Sequence, residues 1–254
     1  MLQRILLSIL PCFLIANAYG FGGSVGTSIY SNFKSESTGE NNSFNVIMGQ
    51  LGHQAGDLSL GVSTSAMKSL VDNYSNYELG NVSMTATHFI ELDETLKLNS
   101  TFSSALPVSK FSRDIQNLYT SLGHSFSLPI KLGEKTSLSL RLSNRLHLYQ
   151  YETDVNGSSN VFHQHTIGAS FGHRFYDWLS TGVSFSGTKN FTHNNVATDS
   201  YVVSANMTAT WKKLYFSAGY EKFDQFLDPS GRSTNISVFD LDTSMFSLTI
   251  GTNF

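Results

Sequence analysis

Four groups of residues have types and spacings that could do chemistry. His163-Gln-His165 sets two imidazoles two positions apart, which on a β-strand puts both rings on one face, as a metal pair needs. Asp240-Leu-Asp242 spaces two carboxylates in the same way, suiting a calcium ion or an acidic catalytic pair. Gly123-His124-Ser125-Phe126-Ser127 offers a base beside hydroxyls, with Asn144 as a group that could orient the imidazole. Arg141 and Arg145, with Lys97, form a cationic stripe able to hold an anion by bidentate or point-charge contacts. The two histidines of the first group share phase with Ile167, Ala169 and Phe171, so they belong to an apolar outer face. His53, His88 and His124 have no patterned carboxylate or Cys partner. No catalytic set, no metal site and no cofactor is therefore expected.

What must position these residues follows from composition. The chain has 254 residues, a formal net charge of -3, only 14% charged residues, 13% aromatics and one Cys. The charged fraction is well below the roughly 25% usual for soluble domains, and Ser, Thr and Asn stand in for the missing charges. With no basic excess to neutralise phosphates, nucleic acid is not an expected partner. Residues 1–18 read as a cleaved export signal: Arg4, the apolar run Ile5 to Ile15, then Ala16-Asn17-Ala18. The single domain expected is 19–254, without a thiol, because the lone Cys12 lies in the signal.

After Ala18 no run of 18 apolar residues occurs, so no membrane-spanning helix can be drawn. Period-two alternation recurs instead. Leu138, Leu140, Leu142, Leu146 and Leu148 oppose Ser139, Arg141, Arg145 and His147, giving one apolar and one wet face. Twelve such segments are readable, near 23–33, 43–52, 57–67, 78–90, 95–106, 115–128, 136–150, 161–174, 179–190, 200–211, 214–225 and 239–254. Their connections alternate short and long, the long ones falling near 34–42, 68–77, 107–114, 151–160, 191–199 and 226–238. The pattern predicts an all-β fold: a closed antiparallel up-and-down transmembrane β-barrel of about twelve strands, with ten or fourteen as the alternatives. Phe175, Tyr176, Trp178 and Trp211 beside short turns, and Tyr30, Phe33, Phe44, Tyr77 and Tyr201 near long loops, suggest two interfacial girdles.

The last strand, Met245 to Phe254, ends on an aromatic with Phe246, Leu248 and Ile250 in phase with it. It resembles the C-terminal strand signal of bacterial outer-membrane β-barrel proteins. That resemblance implies recognition by the barrel-assembly machinery and residence among outer-membrane lipid and lipopolysaccharide. Phase assigns Lys97, Asn117, Tyr119, Arg141, Arg145, His147, Arg174, Tyr215 and Glu221, among many Ser, Thr and Asn, to the interior. An arginine-bearing lumen is similar to that of the small twelve-stranded porins, such as the oligogalacturonate-specific family, although that family's repeated basic strand signature is absent. The reading is a small channel for polar or anionic solutes. The cations could instead pair with Glu221, Glu78 or Asp57 across the lumen and simply rigidify the barrel; the alternatives in function are a closed barrel acting through its loops and a lipid hydrolase. The last would resemble outer-membrane phospholipase, but Gly123 to Ser127 lacks that family's H-x-S-N-G.

Overall fold

A computed structural model describes residues 21–32, 42–71, 76–93, 96–225 and 244–254. The signal at 1–18, Phe33, Asp240, Asp242 and most of the connections 34–42 and 226–238 lie outside the described residues. Thirteen strands follow in chain order: β1 (Phe21–Ser31), β2 (Ser43–Ala55), β3 (Leu58–Ser69), β4 (Glu78–Leu79), β5 (Val82–Glu91), β6 (Lys97–Leu106), β7 (Leu118–Lys131), β8 (Thr136–Tyr149), β9 (Val161–Tyr176), β10 (Leu179–Thr192), β11 (Ala197–Trp211), β12 (Leu214–Gln225) and β13 (Ser244–Asn253). The two-residue β4 only extends the β3 edge, so twelve strands make the wall.

Each strand pairs antiparallel with its neighbours, β1 pairs with β13, and β2 with β3, so the sheet closes on itself. Closure follows from the outer surface. A sheet edge facing hydrocarbon would leave N–H and C=O groups unpaired, at several kcal/mol each. Twelve strands spaced ~4.8 Å apart and tilted ~40° give a backbone radius of roughly 12 Å.

The two faces separate by register. Leu58, Leu60 and Val62 on β3 lie across from Ala55, His53 and Leu51 on β2, and from His88, Ala86 and Met84 on β5. The same apolar layer runs on through Phe102, Phe126, Leu142, Ile167, Val183, Met207, Phe216 and Ile250, all exposed. The opposite face borders a cavity of 430 Å³ reached at once by Ser24 and Gly26 of β1, Met48 of β2, Ser65 of β3, Asn81 and Tyr215 of β12. Only the concave side of a closed sheet brings these strands together, so the polar face is the inner one.

Tight turns fix the register at one end. Gly56, with φ +60°, lets two residues join β2 to β3, and Lys212, with φ 57°, does the same between β11 and β12. Tyr176 and Trp178 stack at 5.7 Å beside the β9–β10 turn, and both are exposed.

Four expectations need correction. The connection expected near 191–199 is a tight turn, because β10 and β11 run longer and Asn195 adopts φ 62° between them. Tyr119 leaves the interior phase at a bulge: Leu118 pairs with Tyr149 and Thr120 with Leu148, so Leu118 takes the inward position. Asn117 precedes β7, with φ 54°, and its carbonyl accepts from Gln150 N–H at 2.8 Å. Tyr30 and Phe44 stack at 5.0 Å but share phase with Ser28 and Met48, so they project inward rather than into a girdle.

Candidate functional site: the barrel interior

The inner wall is paved with small side chains. Ser59, Gly61 and Ser63 on β3, Ser121, Gly123, Ser125 and Ser127 on β7, and Ser180, Gly182, Ser184 and Ser186 on β10 alternate with the outer apolar residues. Their hydroxyls bond along the wall: Ser28 Oγ lies 2.8 Å from Thr249 Oγ1, Thr87 Oγ1 2.9 Å from Thr101 Oγ1, and Ser184 Oγ 2.7 Å from Ser204 Oγ. Such residues satisfy one another laterally and reach only a short way inward. Among the described residues, the wall therefore leaves space along the axis of a barrel of roughly 12 Å backbone radius.

Into that space project the larger residues expected from phase. Arg141 and Arg145 lie on β8 across from Ser127 and Gly123, and from Gly168 and Gln164. Glycine and short polar neighbours leave both guanidinium groups room. Arg174 sits across from Ser180 at the short-turn end. It lines a cavity of 940 Å³ with Lys131, Lys135 and Glu134. Among the described residues Arg141, Arg145 and Arg174 form no ion pair.

Among the described residues no ion pair joins Lys97, Arg141 or Arg145 to the expected Glu221, Glu78 or Asp57. Lys97 Nζ instead pairs with Glu91 at 2.6 Å on the adjoining strand, because Glu91 and Lys97 are direct register partners flanking one turn. Glu221 lies on β12 across from Ser204 and Met245. Glu78 stands on β4, and Asp57 in the β2–β3 turn.

At the opposite end the interior narrows against aromatic rings. His147 and Tyr149 are 6.0 Å apart, Tyr149 meets His193 at 6.2 Å, and Phe162 meets His193 at 5.2 Å. His147 Nδ1 and His193 Nε2 are buried without a hydrogen-bond partner. Sequence phase placed His147 inside but missed His193, which reaches the cluster from a turn.

The connections above this cluster are knitted together. Asn160 Nδ2 donates to Gln116 O at 3.2 Å and Tyr151 O at 3.1 Å. His193 N–H donates to Asn160 O and Val155 N–H to Ile115 O, both at 3.1 Å. Residues Phe111–Ile115 form a short π-helical turn tied to the wall by Asn81 Nδ2, which donates to Ser112 Oγ at 2.8 Å. There a hydrogen bond from the Arg113 guanidinium, at 2.7 Å, holds the Asp114 carboxyl below its usual pKa range.

The candidate catalytic groups disperse. Successive strand residues face opposite ways, so His124 projects outward and Ser125 inward, and they cannot form a base–nucleophile pair. His124 Nε2 instead lies 3.0 Å from Ser100 Oγ on β6. Asn144 stands across from His124 but bonds through Oδ1 to His165 Nδ1. Mutual bonding within each pair lowers the cost of holding these polar groups on the apolar outer face. His163 and His165 share the outer face with rings 4.2 Å apart, and no group of three metal ligands occurs among the described residues.

On the last strand, Phe246, Leu248 and Ile250 lie on the outer face. Phe254 closes the seam, its N–H donating to Gly23 O at 3.0 Å and its carbonyl accepting from Gly23 N–H at 3.1 Å.

No family model and no curated protein matches the sequence. Solved structures do match the fold. The NanC porin aligns at 11% identity and TM-score 0.59 over 91% of this chain and 98% of its own. An outer membrane channel of Pseudomonas putida F1 aligns at 14% identity and TM-score 0.59 over 92% and 96%. The KdgM porin, also solved in complex with disordered oligogalacturonate, aligns at 7–8% identity and TM-score 0.53 over 91% of this chain. The chain has the fold of small outer-membrane channels.

Proposed function

We propose that the protein is an outer-membrane channel for small polar solutes, with a preference for anions. The observation that carries this reading is the inner wall: small hydroxyl-bearing residues and glycines leave the axis open, while Arg141, Arg145 and Arg174 project into it with no ion pair among the described residues. An unpaired guanidinium in a low-dielectric, partly enclosed space attracts an anion more strongly than it would in bulk water, and its planar fork suits carboxylates and phosphates. Lys131 and Lys135 beside Arg174 extend the positive field to the short-turn mouth. The similarly folded NanC and KdgM porins support a solute-conducting reading. His147, Tyr215, Glu221 and the paired Lys97 complete the proposed lining. Phe246, Leu248, Ile250 and Phe254 serve as the assembly signal after export directed by residues 1–18.

The test is planar-bilayer recording of the refolded mature chain under a salt gradient. Discrete conductance steps with a reversal potential displaced toward that of the anion are expected. A folded barrel that inserts and stays electrically silent would overturn the channel reading.

A further inference from the structure

The outer face carries a row of polar side chains that the channel does not use. His124 on β7 stands across from Asn144 on β8, Asn144 from His165 on β9, His165 from Lys189 on β10, and Lys189 from Asp199 on β11. It is one unbroken line, a single residue per strand, on a surface made mainly of Leu, Phe, Val and Ile. Polar and ionisable groups there are costly at depth and become tolerable toward the interface.

The row is not level. His124 is seven residues into β7, whereas Lys189 is close to the loop end of β10 and Asp199 is the third residue of β11. A line perpendicular to strands tilted ~40° rises roughly 3 Å per strand, so it climbs from the apolar band to the outer headgroup level. Its lower members are already satisfied in pairs, Ser100 with His124 and Asn144 with His165.

The upper members, Lys189 and Asp199, form no ion pair among the described residues. Lys189 Nζ rests 5.9 Å above the Phe191 ring and pairs with no carboxylate among the described residues, although Asp199 lies directly across the ladder. His163 is its diagonal neighbour, across from Phe191, and its ring nitrogens hold no hydrogen bond among the described residues. Below them, Met84, Phe102, Leu122 and Leu146, with His124 and His163, border a predominantly apolar groove of 620 Å³ on the same face.

We propose that this surface binds a phosphorylated lipid of the outer leaflet: Lys189 and His163 hold the phosphate, and an acyl chain lies in the groove. A cation and an imidazole above an apolar trough match an amphipathic anion in both charge and polarity gradient, and a lipid is the anion already present at that depth. The site faces away from the lumen, so it does not depend on conduction.

The experiment is native mass spectrometry of the intact barrel, exchanged into mild detergent after incubation with bisphosphorylated glycolipid from outer membranes or with the same lipid after phosphatase treatment. Wild-type protein should retain the phosphorylated lipid. Retention should fall about tenfold for Lys189→Ala combined with His163→Ala, the scale of one lost charge-assisted contact. It should fall similarly for wild-type protein with the dephosphorylated lipid, an arm that does not depend on whether a variant folds. Single-channel conductance of the variant should be unchanged. Equal retention of both lipids, retention by the variant within about twofold of wild type, or a wild-type dimer that the variant converts to monomer would each overturn the proposal; the last would assign the row to a second copy of the chain.

Discussion

The ring of Tyr215 on β12 lies so closely over Gly251 on β13 that a Cβ at position 251 would fall 2.3 Å from its hydroxyl oxygen, and the same oxygen would be 2.7 Å from a Cβ at Gly26 on β1. One side chain thus roofs two glycines in the three strands that close the barrel. Glycine is needed here for the space above it, since the ring fills what a side chain would occupy.

Gly251→Ala should therefore force the ring away and destabilise the barrel by about 1–3 kcal/mol, the usual range for overpacking. A urea midpoint in detergent would measure it. Adding Tyr215→Ala should relieve the clash, so the double variant should lose less than the sum of the two singles; strict additivity would show that the ring and the glycine do not interact.

Leu140 lies on the outer face of β8, exposed, between Leu128 and Ala169 on the flanking strands. Leu140→Arg should cost about 2–4 kcal/mol near the midplane, read as a lowered folding equilibrium in lipid vesicles. Arginine at the following position carries no such cost, because Arg141 faces inward.

Arg145 projects from the same strand toward Gly123 and Gln164 and holds no ion pair among the described residues. Arg145→Ala should leave the heat-modified mobility of the folded barrel unchanged and move the reversal potential toward that of the cation. Arg145→Lys should restore part of the anion preference by keeping the charge while losing the bidentate fork. An unchanged reversal potential in the alanine variant would remove Arg145 as a selectivity determinant.

Asn160 is buried, and its amide donates two hydrogen bonds that join the connections at 107–117 and 150–160. Asn160→Ala should lose about 0.5–1.5 kcal/mol per bond from local rather than global stability. Limited proteolysis should then cut these connections several-fold faster while the barrel fragment survives, on the principle that local opening sets cleavage. Unaltered cleavage would mean that the connections are held by other contacts.

Much of this molecule was legible from alternation alone. A strand residue's face is set by parity, so Leu138 to Leu148 against Arg141 to His147 established which side meets lipid before any strand was placed beside another. The need to pair every backbone group in hydrocarbon then required closure, and the even number of segments allowed the ends to meet. Where parity broke, the reading broke: a single bulged residue moved Tyr119 out of phase and put Leu118 in its place.

Neighbours across the sheet are a different matter, because register is fixed by turns and closure and not by any one strand's pattern. Only the folded barrel decided that Lys97 meets Glu91, and among the described residues it leaves the interior arginines without an ion pair. It also set His124 against Ser100 instead of Ser125, aligned His165 with Lys189 in one rising polar row, and laid Tyr215 over Gly251. Composition and period determined the kind of wall this chain builds; tertiary pairing decided which charges on it form no ion pair among the described residues, and those charges carry the proposed function.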